Sequence, residues 1–282
     1  MYDWILSNDK ESIDFMADED IFVLNVEGTG PEALVTYSEM YGRDGGHFES
    51  FRAPVRHISM LIQFYNRDVD AARMRLNRII SANELKLRYI TEHRDVYITG
   101  RLENAPVYSE KLPVIGQINL VCTDPYWKAS GDTTHVISGT EPCFEFPIEI
   151  DEDEGMFFGE IESALIVPIV NEGTVESSAI FTFTAVTACS NPRIENIDTG
   201  EFMQVNVDMV TGDKLVINTK IDDKTIEFTH DGVTENYFNK RSAGFTFMYI
   251  QPGVNNLKYT VDEGDEHALD ITVNFDTQYG GI

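Results

Sequence analysis

Residues 51–66, FRAPVRHISMLIQFYN, place the strongest constraint on the fold. Ile58, Met60, Ile62 and Phe64 fall on one side of an extended chain, and His57, Ser59 and Gln63 fall on the other. This is the two-residue period of a half-buried strand. The period then changes. In RDVDAARMRLNRII (67–80), Val69, Ala72, Leu76, Ile79 and Ile80 share one helical stripe, while Arg67, Arg73, Arg75 and Arg78 lie off it. Asn66 or Asp68 can cap the start of this helix, and Ser81–Asn83 can end it. Strand patterning returns in 84–90, 96–108 and 112–124 around the turn TEHRD (91–95). The first half is therefore expected to be an α+β arrangement, an antiparallel sheet with one helix packed on it.

The second half shows no comparable helical stripe. CFEFPIEI (143–150) places Phe144, Phe146, Ile148 and Ile150 on one face. Further strand patterns cover 163–170, 179–185, 201–207, 213–219, 224–229, 243–250, 255–261 and 269–275. Short strands broken by NEG, TG, DG and PG turns predict a β-sandwich or jelly roll, so the whole chain reads as mainly β. Charge separates the halves. Residues 1–130 carry 14 basic and 20 acidic side chains, and residues 131–282 carry 7 and 28. The Gly-, Ser- and Thr-rich stretch 128–142 lies at the change, and the expected domains are 1–132 and 133–282.

The formal charge of −27 excludes a general attraction to nucleic acid or to an anionic membrane surface. The longest apolar run, ALIVPIV (164–170), is too short for a membrane helix and is interrupted by Pro168. The opening residues MYDWILSNDKESIDF lack the basic and apolar regions of a signal peptide, and none is expected. Cys122, Cys143 and Cys189 are too scattered for a disulfide framework or a zinc site and read as buried apolar residues.

No catalytic constellation stands out. GxSxG, P-loop and HExxH motifs are absent, and no two of the six histidines are at metal-ligand spacing. No catalytic residue, metal site or cofactor is therefore expected. DEDEG (151–155) resembles the start of a calcium loop, but its glycine comes one place early and Phe157 and Phe158 follow. It reads as a solvated hairpin. DEGDEH (262–267) reads the same way. Sugar-stacking aromatics would suit a β-sandwich, yet Trp4 and Trp127 both lie in the first half. Tyr237, Phe238, Tyr249 and Tyr259 read as core or strand-face residues.

Two features point to protein contacts. The helix arginines Arg67, Arg73, Arg75 and Arg78 form either a solvated face or an interface, since arginine is over-represented at interfaces. The segment Tyr41–Ala53 combines Gly42, Gly45 and Gly46 with Arg43, Phe48, Phe51 and Arg52. It is either an ordinary hairpin loop or an arm that reaches a neighbouring copy.

Taken in order, VEGTGPEALVTYSEMYGRDGGHFESF (26–51), APVRHISMLIQFY, the helix, LKLRYITEHRDVYITGRLENAPVYSE and IGQINLVCTDPYWKAS (115–130) resemble the N-terminal domain of distal tail (Dit) proteins of long, non-contractile-tailed bacteriophages. The run CTDPYW (Cys122–Trp127) is the most specific element. DKLVINTKIDDKTI (213–226), the Asp231–Gly232 turn and FMYIQPGVNNLKYT (247–260) are similar to the family's galectin-like C-terminal sandwich. The resemblance implies a structural virion protein of the tail tip, assembled in the host cytoplasm as a homo-hexameric ring. Its implied partners are the tail tube protein, a tail-fibre or tail-associated lysin protein, and a receptor-binding protein. No membrane or specific nucleic-acid partner is implied, although DNA would pass through the ring. A carbohydrate-binding sandwich or baseplate adhesin is the alternative reading, because a galectin-like fold does not by itself carry sugar binding.

Overall fold

The structure is a computed structural model that describes residues 2–65, 68–131, 133–138, 140–141, 160–161, 166–265 and 267–282. The stretches 143–150 and 151–155, Cys143 and Arg67 lie outside the described residues. The chain divides into two compact units. Unit 1 is Met1–Ser130 with Gln278–Ile282, and unit 2 is Gly131–Thr277. Each has its own hydrophobic core.

Unit 1 runs β1 (Asp3–Ser7), β2 (Ser12–Asp14), β3 (Ile21–Glu27), β4 (Leu34–Glu39), β5 (Gly46–Arg52), β6 (Arg56–Phe64), α1 (Val69–Ile80), β7 (Leu85–Ile90), β8 (Asp95–Leu102), β9 (Val107–Tyr108), β10 (Val114–Cys122) and β11 (Trp127–Ala129). Its main sheet has the order β2-β1-β7-β8-β10-β6-β3. The alternation of β6 places Ile58, Met60, Ile62 and Phe64 inside, as expected. Asp68 caps α1 by accepting a hydrogen bond from the Ala71 amide at 3.1 Å, and Ser81 closes the helix onto the Asn77 carbonyl. Ala72, Leu76, Ile79 and Ile80 form the buried stripe and join the core of the sheet. At roughly 2 kcal/mol per buried large aliphatic side chain, this packing rather than helix propensity holds α1 in place.

Unit 2 contains β12 (Thr133–Ser138), β13 (Thr140–Glu141), β14 (Glu160–Ile161), β15 (Ile166–Asn171), β16 (Ala179–Ala185), β17 (Cys189–Ser190), β18 (Arg193–Asn196), β19 (Phe202–Gln204), β20 (Asp208–Met209), β21 (Lys214–Asn218), β22 (Thr225–His230), β23 (Val233–Asn236), β24 (Gly253–Thr260) and β25 (Leu269–Phe275). A six-stranded sheet, β12-β25-β16-β21-β22-β23, and a four-stranded sheet, β15-β24-β18-β19, contribute to one core. The β22–β23 hairpin turns at Asp231 and Gly232, both with positive φ, which is the backbone that a two-residue turn of right-handed twist requires.

One expected strand is absent. Residues 243–250 alternate like a strand but make only an isolated bridge, Ser177 to Ile250. Gly244 takes positive φ, and the aromatic side chains that follow pack irregularly. Phe245 meets Phe247 edge-on, and Arg241 and Lys224 lie over their rings. The last strand, β26 (Gln278–Tyr279), pairs with β11 in unit 1.

Candidate assembly interface

β4 and β5 form a two-stranded hairpin in which every residue is exposed. The turn at Met40–Gly45 uses positive φ at Gly42 and Gly45, which glycine adopts without strain. The register is Val35 opposite Phe51, Thr36 opposite Ser50 and Tyr37 opposite Phe48, with a bulge that leaves Glu49 unpaired. Directly opposed residues share a face, and so do residues two apart in a strand. Val35, Tyr37, Phe48 and Phe51 therefore share one face. Without the extra residue, Phe48 and Phe51 would point to opposite sides, and the bulge turns Phe48 back beside Phe51. Tyr37, Phe48 and Phe51 are 61%, 59% and 67% exposed. An isolated hairpin is marginal in water, and a contiguous apolar face left uncovered marks an interaction site.

The hairpin stands on a rigid root. Arg56 is only 3% exposed. Its guanidinium donates to four carbonyls: Pro125 at 2.6 Å, Gly28 at 2.8 Å, Gly30 at 2.6 Å and Gly280 at 2.5 Å. Gly28 and Gly30 precede β4, and Arg56 follows β5, so both legs of the hairpin meet at this one side chain. Burial lowers the basicity of the guanidinium, and the carbonyl dipoles satisfy its charge in place of water. A Cβ at Gly28, where φ is +82°, would lie 1.9 Å from the His57 carbonyl oxygen, and one at Gly281 would lie 2.5 Å from the Pro31 nitrogen. The missing side chains let the three segments close on Arg56.

Sequence reading missed Arg56, although a signal existed. Position 56 is in phase with 58, 60, 62 and 64, the buried side of β6, where arginine is out of place unless something inside receives it. Cys122 lies close enough to Arg56 for the two charges to interact, and burial pushes its thiol up to about 11. The unfolded thiol deprotonates near ~8.5, so this group favours the folded unit below that pH and loses the contribution as pH rises toward the folded value. Cys122 is expected to resist alkylation at pH 8 in native protein and to react fully once unit 1 is unfolded. Mass mapping of the modified cysteine checks this.

The candidate contact residues separate into two groups. Arg43, Phe48, Phe51 and Arg52 all stand on the hairpin. The described helix arginines, Arg73, Arg75 and Arg78, lie elsewhere and have partners within the unit. Arg75 Nη2 bridges both carboxylate oxygens of Asp18 at 2.5 and 2.7 Å, and Arg73 lies over the Tyr108 ring at 4.4 Å. Arg78 is 3.8 Å from Glu11 with its side chain mostly exposed. In unit 2, Tyr259 is buried, and Tyr237 and Phe238 are partly buried against the core. Among the described residues no group of three His, Cys, Asp or Glu could hold a metal ion, and no helix is long and apolar enough to cross a membrane.

Comparison with known proteins matches this architecture to one group. Residues 172–279 match the family described as siphovirus-type tail component, C-terminal domain. No curated protein sequence matches the chain. Among solved structures, the Dit protein of phage SPP1, described as a paradigm of hub adsorption apparatus in phages infecting Gram-positive hosts, superposes with a TM-score of 0.69 at 13% identity, covering 98% of both chains. The phage P2 baseplate in its activated conformation with Ca gives a TM-score of 0.52 at 13% identity over 100% of both chains. Residues 172–279 thus match the siphovirus-type tail-component family, and the chain as a whole shares the fold of the SPP1 Dit protein.

Proposed function

We propose that the protein is a ring-forming hub of a phage tail tip, in which unit 1 closes a homo-hexamer and unit 2 projects from it. The ring would join the tail tube protein to the tail-fibre or tail-associated lysin protein and organise a receptor-binding protein. The observation that carries this reading is the uncovered apolar hairpin on its arginine root. A ring requires two different complementary patches on each subunit, and a protruding arm supplies one of them. The number six comes from the resemblance to Dit proteins. The strongly acidic unit 2 suits an assembly role.

The test is the solution mass of the full-length chain by light scattering across concentration and salt, followed by electron microscopy of the heaviest species. A mass near six chains, with annular particles, is the expected result. A strict monomer at every concentration, both alone and with tail tube protein added, overturns the ring.

A further inference from the structure

The first leg of the hairpin is held from two sides, and Arg56 is only one of them. After β25 the chain leaves unit 2, and Gln278–Ile282 return to unit 1. Gln278 and Tyr279 pair with Lys128 and Trp127 of β11. Arg94 lies over the Tyr279 ring at 5.7 Å, and the Tyr279 and Ile282 side chains pack against the core of unit 1. Between these two anchors the backbone reaches the hairpin root. The Ile282 amide donates to the Thr29 carbonyl at 3.1 Å, and the Gly280 carbonyl is the one that accepts from Arg56 Nη2. Successive carbonyls leading into β4 therefore go to different holders, Gly28 and Gly30 to Arg56 and Thr29 to this strap. Gly281 packs so closely on Gly30 and Pro31 that no side chain fits between them.

The run CTDPYW supplies the other half of the same arrangement. Cys122 is buried beside Arg56, the Pro125 carbonyl accepts from Arg56 Nε, and Trp127 begins the strand that receives the strap. The strap itself is lightly held. It has two ladder positions and its five residues are all half-buried, whereas β6 and β10 pair over nine continuous positions. Segments with few buried contacts open locally at a lower free energy than core strands.

We propose that Gln278–Ile282 is a latch on the assembly hairpin. Seated, it fixes the direction in which the hairpin leaves unit 1. Open, it frees the first leg while the β6–β10 core stays folded. This rests on the reading of the hairpin as a ring contact, and it adds a gate to it. Only the latched fraction of chains presents the hairpin in the direction a neighbour can use, so the apparent affinity of assembly falls in proportion as the latch opens.

Two variants of the full-length chain test it. Gly281→Val puts a side chain where Pro31 stands, and deletion of Gly280–Ile282 removes both hydrogen bonds but keeps β26. The measurement is hydrogen exchange read by mass spectrometry, with the β6 and β10 peptides as the internal control of folding. In both variants the β4 and β5 peptides are expected to exchange roughly tenfold faster, while β6 and β10 change by less than about twofold. Light scattering should then place assembly at roughly tenfold higher protein concentration. If β4 and β5 exchange at the wild-type rate in both variants, the strap does not hold the hairpin and the inference falls. If β6 and β10 accelerate as much as the hairpin, the strap belongs to the cooperative fold of the unit and the inference falls as well. A loosened hairpin with undiminished assembly overturns the gate. A wild-type chain that never associates overturns the ring reading, and the exchange rates still decide whether the strap holds the hairpin.

Discussion

Arg56→Leu is expected to lower the melting temperature of unit 1 by about 12 °C. Hydrogen bonds to a charged donor contribute roughly 1.5–3 kcal/mol each, and Arg56 makes four of them to carbonyls from three separate segments. Part of that gain offsets the desolvation of the guanidinium, so the net loss is about 4 kcal/mol. Arg56→Lys should be intermediate, because a single ammonium cannot span acceptors arranged around a planar fork. Gly28→Ala attacks the same knot from the other side, by strain at positive φ and by the clash with the His57 carbonyl. The double variant should therefore lose less than the two single losses added together. Two readouts beyond the melt identify the cause. Cys122 should become alkylated in the Arg56→Leu variant at temperatures where wild type is protected, and assembly should weaken, since both hairpin legs lose their anchor. A melt within 2 °C of wild type would show that the carbonyls find water at no loss and that the knot is not structural.

How far the sequence announced these features follows from the range of the interactions behind them. β6, α1 and β16 were legible because burial of one face imposes a period, and the period is local. The change from two to 3.6 residues at position 67 is visible without knowing what covers either face. The hairpin was only half legible. Its glycines and aromatics marked 41–53 as an arm, but Phe48 and Phe51 are three apart, and only the bulge at Glu49 brings them to one face. Segment 243–250 misled in the opposite direction. Its alternation is real, but its aromatics are held by Arg241 and Lys224 rather than by a ladder. Distance explains the arginines. Asp18 lies 57 residues from Arg75, and the carbonyl of Gly280 lies 224 residues from Arg56. No window along the chain can show that these side chains are already engaged.

The second large effect is expected in unit 2 and separates the stabilities of the two units. Phe181 and Phe183 on β16 are fully buried, and β16 pairs with β21 on one side and β25 on the other, near the middle of the six-stranded sheet. Phe181→Ala removes a ring that has no route to relax, since both neighbouring strands are fixed by continuous ladders. The expected loss is about 4 kcal/mol, from the transfer free energy of the ring plus the cavity it leaves. Phe181→Leu should lose only about 1.5 kcal/mol, because most of the volume remains. In calorimetry, two units with separate cores should melt as two transitions. Phe181→Ala should move only the transition of unit 2, and Arg56→Leu only that of unit 1. If either substitution shifts both transitions equally, the units fold as one cooperative body, and a change in assembly seen with Arg56→Leu could no longer be assigned to the hairpin root alone. If the transitions move separately, the root of the hairpin and the core of unit 2 can be varied independently, and the assembly measured on each variant reads unit 1 directly.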